Sequence, residues 1–174
     1  DRVVNYSISG REITLDDIEA GGHFGELAAI DGQPRSASVM ALTDCSLAIL
    51  PQDKFLALVY ENSGIALKVM GGLASIIRNS TERIMDLSTL AANNRVQADL
   101  LRQALHYCDE KNTASISPIP VHADIASRVS TTRETVARVM NDLARQGLLE
   151  RQKNVLIIND VQRLQKMVEE IRGE

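Results

Sequence analysis

The sequence predicts an α+β protein built from a β-rich opening, a long connecting helix and a winged helix-turn-helix. Three observations carry that reading. Up to about Pro51 the apolar residues fall in short, partly alternating runs separated by Gly, Asp and Pro clusters. From Gln52 the apolar period lengthens to that of a helix. Further on, residues 121–147 hold two short amphipathic helices, followed by a hairpin-like segment.

The runs VVNYSI, REITLDDI, SASVMAL and CSLAILP are rich in Val, Ile, Leu and Thr and read as strands, with Cys45 turned into the core in the last of them. QDKFLALVYEN reads as one amphipathic helix. Another runs from Ser63 to about Ala92, where Ala66, Met70, Leu73, Ile77, Ser80, Ile84, Leu87 and Ala91 recur at alternating steps of four and three. That is a heptad seam. An ordinary surface helix would lay such a stripe on its own sheet, but about thirty residues of helix span roughly 45 Å, more than a small β domain covers. The seam therefore predicts a parallel homodimer, with Met70, Leu73, Ile77, Ser80, Ile84 and Leu87 at the interface. A polar residue in a seam fixes register; alternatively, Ser80 and its neighbour Thr81 place two hydroxyls against a ligand near the dimer axis.

The segment LSTLAANN interrupts the helix, and Asn93 or Asn94 is the expected cap of a new one running VQADLLRQALHYC. The domain boundary is placed there, giving units 1–92 and 93–174. KNTASISPIP reads as loop or strand edge. In VHADIASRVSTTRETVARVMNDLARQG the first helix buries Ile125, Ala126 and Val129, and the second buries Val136, Val139, Met140 and Leu143. Gly147 stops it. LLERQKNVLIIN then supplies two short strands turning near Lys153 and Asn154, which is a wing.

Composition excludes several classes. The chain has 174 residues, 44% of them hydrophobic, with no Trp, and no apolar run reaches the roughly eighteen residues of a membrane span. Cys45 and Cys108 lie too far apart in sequence for a metal knuckle or a redox pair, and no charged-then-apolar leader opens the chain, so the setting reads as reducing and cytoplasmic. His23, His106 and His122 are scattered and form no metal or catalytic constellation. The reading is not an enzyme. The opening DRVVNYSISG enters directly as a strand running into a turn, so the natural beginning is expected upstream.

Charge separates the two parts. Residues 1–92 carry 7 Lys/Arg against 12 Asp/Glu, whereas residues 125–153 carry 6 against 3, and the basic stretch suits a polyanion. Thr131 and Glu134 have capping-box spacing at the start of the second helix. Arg133, Glu134 and Arg138 share its solvent face, and Thr132 stands at the same end. Arg suits guanine O6 and N7, Glu accepts from cytosine N4, and a helix-turn-helix places this helix end in the major groove. His122, near the start of the first helix, reads equally as a phosphate contact or as a solvated surface residue.

GELAAIDGQPRSAS, the long seam helix and STTRETVARVMNDLARQGLL, in that order and at those separations, resemble the family of the cyclic-AMP receptor protein and the FNR-type regulators. The resemblance covers nearly the whole chain, although the family's opening β segment has no counterpart here. It implies a jelly-roll-like cyclic-nucleotide-binding β-roll, a dimerisation helix and a DNA-binding domain. Gly25, Glu26 and Leu27 match the ribose-facing side, with Glu26 on the 2′-hydroxyl. Arg35, Ser36 and Ala37 match the phosphate cassette, with Arg35 as the ion pair, and Ser80 and Thr81 match the positions that meet the base. The chemistry agrees: a cyclic phosphodiester suits a guanidinium fork, and a ribose hydroxyl suits a carboxylate. A Glu–Arg pair closing a tight DGQP turn is the plainer reading of the same residues.

The resemblance further implies a homodimer governed by cyclic AMP or cyclic GMP, reading an inverted repeat of TGTGA-like half-sites, with RNA polymerase as a further partner. Arg133 and Arg138 fall on guanines and Glu134 on a cytosine. Ser36, Ser80 and Thr81 suit an amino group or a carbonyl equally, so the two nucleotides are not separated. The turn between the helices often carries Gly in the family, and Ser130 stands there. A haem or iron–sulfur sensor on the same scaffold would need ligands outside this segment, and the Glu26/Arg35 pair argues against it. A phosphodiesterase would need an activated water, for which no base is visible.

Overall fold

The structure is a computed structural model that describes residues 1–8, 10 and 12–173. Arg11, the first residue of an expected strand, Ser9, just past the end of another, and Glu174 lie outside the described residues. Two compact units divide the chain, Asp1–Thr81 and Glu82–Glu174.

In the first unit β1 (Arg2–Tyr6) lies between β2 (Glu12–Asp17) and β3 (Ser38–Met40), antiparallel to both. Val4 opposite Thr14 is the buried centre of this sheet. Arg2 closes its end through a two-pronged contact with Asp17, at 2.7 and 3.0 Å. Helix α1 (Glu26–Asp31) and helix α2 (Gln52–Glu61) follow, joined where the Gln52 amide donates to the Ala29 carbonyl at 3.0 Å. CSLAILP does not form the expected strand, and Cys45 is exposed instead of buried. A strand requires a neighbour for its N–H and C=O groups, and none of the described strands pairs with this run.

Helix α3 runs from Ser63 to Thr89, 27 residues, roughly 40 Å. Of its expected seam residues, Leu73 is half-buried and Met70, Ile77, Ile84 and Leu87 are exposed, Ile77 by 66% and Ile84 by 62%.

The second unit holds α4 (Ala92–His106), β4 (Ala114–Ile116), α5 (His122–Arg128), α6 (Arg133–Arg145), β5 (Leu149–Gln152), β6 (Val155–Ile158) and α7 (Val161–Arg172). The sheet order is β4-β6-β5, all antiparallel. Val96, Leu100 and Ala104 of α4 pack with Ile125, Val136, Leu143, Leu156, Ile158 and Leu164 in one core. Each of the seven residues expected to be buried in the two short helices is buried. Gly147, at φ 73°, ends α6, with the Leu148 N–H returning to the Leu143 carbonyl at 3.0 Å. Lys153, at φ 51°, turns the wing.

Helix α4 starts at Ala92 after Ala91, so neither Asn93 nor Asn94 caps it; Asn93 faces Arg138 instead. Within the second compact unit, which starts at Glu82, Leu90 belongs to the core and Asp86 is held by Arg102 and Arg172. Helix α7, unanticipated, is started by Asp160, whose carboxylate accepts from the Arg163 N–H and from Asn112.

Candidate nucleotide pocket and nucleic-acid interface

Gly25 stands at φ 89° immediately before α1, a conformation that side-chain-bearing residues rarely adopt. A Cβ there would lie 1.5 Å from Arg35 Nη1 and 2.6 Å from its Cζ. The guanidinium therefore occupies the space a side chain would take, against the residue preceding Glu26. Chain geometry brings it there: the loop after α1 turns at Gly32, at φ 69°, and at Asp31, whose carboxylate accepts from the Gln33 N–H at 2.9 Å. Past Arg35 the chain enters β3, and the Asn5 amide reaches the Ser36 carbonyl at 3.4 Å.

Glu26 presents the unusual group. Its Oε2 is buried and has no hydrogen-bond partner, although leaving such an acceptor unmet costs about 1–3 kcal/mol. Arg35 remains exposed, as do Leu27 and Ser36, while Ala37 is half-buried. An acceptor in need of a donor thus belongs to the residue that follows the glycine on which an exposed guanidinium lies. That donor set fits a ligand with a hydroxyl at one edge and an anion at the other. Ser80 and Thr81 are not drawn into this cradle; both are exposed, and the Thr81 hydroxyl donates to the Ile77 carbonyl at 2.9 Å.

In the second unit the start of α6 is capped by Thr132, which accepts from the Thr135 N–H at 3.2 Å. The cap is one residue later than the expected Thr131. Glu134 is held below the usual carboxylate range, chiefly by its own backbone N–H and then by the Thr132 hydroxyl. Thr132, Arg133, Glu134 and Arg138 are all exposed on this end, and Arg138 Nη2 donates to Asn93 Oδ1 at 2.9 Å. Ser130, at φ 51°, holds the turn. Sequence reading missed what fixes it: the Arg95 guanidinium donates to the carbonyls of Val129, Leu90 and Ser130, at 2.8, 2.9 and 3.0 Å. An Arg four residues past a helix break was the available signal. Among the described residues no cluster of His, Cys, Asp or Glu is placed to hold a metal ion, and no helix is long and apolar enough to cross a membrane.

His122, at the start of α5, contacts Arg151 of the wing through Nε2 at 2.8 Å. Partial burial first, and the Arg151 charge second, hold its pKa below the ordinary 6.5. A lowered pKa in the folded state means the unfolded chain binds the proton more readily, so this group's contribution to stability is present above pH 6.5 and is lost as pH falls through the folded value. Titration followed by NMR should give His122 a pKa below 6.5, and Arg151→Gln should raise it. No change in the variant would remove Arg151 as a cause.

The cyclic nucleotide-binding domain family matches residues 2–62 and the Crp-like helix-turn-helix family matches residues 94–167. The chain is 32% identical over 151 residues to the cyclic AMP receptor protein of Thermus thermophilus, covering 85% of this chain and 66% of that one. It is 30% identical over 165 residues to the transcriptional regulator SdrP of the same organism, covering 95% and 77%. Among solved structures, a transcriptional regulator of the CRP/FNR family from Thermus thermophilus matches with a TM-score of 0.70 at 26% identity, over 97% of this chain and 82% of that one. The two domain families fall on the open cradle and on the capped helix in chain order, and the chain belongs to the Crp/Fnr family of transcription regulators.

Proposed function

We propose that the chain is a cyclic-nucleotide-responsive transcription regulator that acts as a homodimer on inverted-repeat DNA. The observation that carries the reading is the buried, unmet Oε2 of Glu26 beside the glycine over which Arg35 lies. A ribose 2′-hydroxyl supplies the missing donor, and the cyclic phosphate takes the guanidinium. The similarity to a protein named for cyclic AMP supports that nucleotide first, with cyclic GMP as the alternative. Ser80 and Thr81 complete the pocket from α3, one of them reaching over from the partner.

A second copy is the proposed occupant of the α3 stripe. Met70, Ile77, Ile84 and Leu87 repeat at heptad spacing and stand exposed, where pairing with the same stripe would bury them all. Two copies of α6 then read half-sites about one helical turn apart, roughly 34 Å. Arg133 and Arg138 are assigned to guanines, Glu134 to a cytosine, and Thr132 and His122 to the backbone of TGTGA-like half-sites. A cytoplasmic setting and contact with RNA polymerase accompany this role.

Calorimetric titration with both nucleotides tests the pocket. Arg35→Leu should weaken binding by on the order of 2–5 kcal/mol, as for truncating one side of a buried charge pair. Binding within threefold of the parent would overturn the role of Arg35, and haem or iron–sulfur absorption bands in the purified protein would favour a different effector. The interface is tested by placing Asp at Ile77 and Leu87. Both are exposed in the single chain, so the variant should fold, yet like charges would face each other in the dimer. Sedimentation should give a monomer; an unchanged dimer would move the interface elsewhere.

A further inference from the structure

Near the end of α3, the Asp86 side chain is only 8% exposed, and arginines from two other helices meet it. Arg102 of α4 donates through Nη2 to Oδ2 at 2.8 Å. Arg172 of α7 donates through Nη2 and Nε to Oδ1, at 2.8 and 3.1 Å. Arg102 also lies 3.6 Å from Asp99, whose side chain is 3% exposed and which takes Arg128 of α5 at 3.0 Å. Charges therefore alternate Arg172, Asp86, Arg102, Asp99, Arg128, from the last helix and the end of α3, through α4, to the first helix of the helix-turn-helix.

Apolar residues would join these helices without the cost of desolvating so many ions. What the charges add is geometry, since each buried carboxylate relies on its arginines, with Gln103 a further donor to Asp99. On either side of Asp86 the helix is held less strictly. Thr81, before it, bonds back to the Ile77 carbonyl, and Ser88 and Thr89, after it, to those of Ile84 and Met85, a pattern that loosens and bends helices.

We propose that Asp86 is a positioning residue that fastens the end of α3 to α4 and α7, so that a displacement of α3 at Ser80 and Thr81 reaches α6 as a rigid-body movement and is not absorbed at the break after Thr89. The fastening stands on the ion pairs alone; its regulatory use rests on the nucleotide-responsive reading above.

Arg172→Met tests it in the full chain. The substitution removes one partner at the last helical residue of α7 and leaves the Asp86–Arg102 pair to keep the unit folded. Hydrogen exchange should show the amides of Glu82–Leu90 protected in step with α4 in the parent and exchanging at least tenfold faster in the variant, with α6 changed by less than threefold. Unchanged exchange at 82–90 would overturn the fastening. The second readout is the ratio of affinities for a TGTGA-type palindrome with and without cyclic AMP. It should fall at least threefold in Arg172→Met, with nucleotide affinity in the absence of DNA within threefold of the parent, and Arg172→Lys should recover part of it. If the parent ratio is one while 82–90 is loosened in the variant, the fastening holds and the nucleotide-responsive reading fails. If the parent ratio is large and the variant keeps all of it, Asp86 does not carry the signal.

Discussion

An apolar stripe left in water costs free energy in proportion to its area, and along α3 the described chain leaves Met70, Ile77, Ile84 and Leu87 uncovered. A helix of 27 residues is too long for three short strands and two short helices to blanket. On the proposed reading every later property descends from how that stripe is covered. A second copy laid along it fixes a two-fold axis, the axis sets two recognition helices one turn of DNA apart, and Ser80 and Thr81 come to lie where a ligand can touch both chains.

The two units meet different physical demands. The first keeps an incomplete set of partners: a carboxylate oxygen buried without a donor and a guanidinium laid over a glycine that cannot become anything larger. The second is closed upon itself. Its apolar core takes a contribution from each of α4 to α7, and its buried carboxylates, Asp86 and Asp99, are met by arginines on three of those helices. The unmet acceptor of the first unit suits a surface that receives a ligand, whereas the paired carboxylates of the second suit a body that moves as one piece.

Periodicity made the second unit legible. The residues Ile125, Val136, Val139, Met140 and Leu143 sit at helical spacing, and all are buried; the wing followed from a short alternating run broken at Lys153. The β region was less legible because a strand is defined by its neighbour. CSLAILP has the composition of a strand and no described partner, which left Cys45 exposed. Helix starts were misplaced by one to three residues where several small polar side chains compete: Thr132 caps in place of Thr131, and Ala91 precedes α4 in place of Asn93 or Asn94. Glu26 and Arg35 drew notice as a carboxylate and a guanidinium set around one turn, and resemblance gave each an expected part, but nothing in their spacing tells that the guanidinium would come to rest on Gly25. The arginine network was invisible, because its pairs lie up to 86 residues apart in the chain.

On the proposed function, nucleotide in the first unit and DNA on the second bind as linked events. An effector shifts a conformational equilibrium only by its differential affinity for the two states, commonly about 1–3 kcal/mol, and the coupling must be reciprocal. The direct measurement is therefore the affinity of the full chain for cyclic AMP by calorimetry, taken with and without a saturating TGTGA-type palindrome. Linkage requires DNA to tighten nucleotide binding by the same factor by which nucleotide tightens DNA binding, about 5- to 150-fold for that range of coupling. Equal nucleotide affinity in the two titrations would contradict the account, even if both ligands bind.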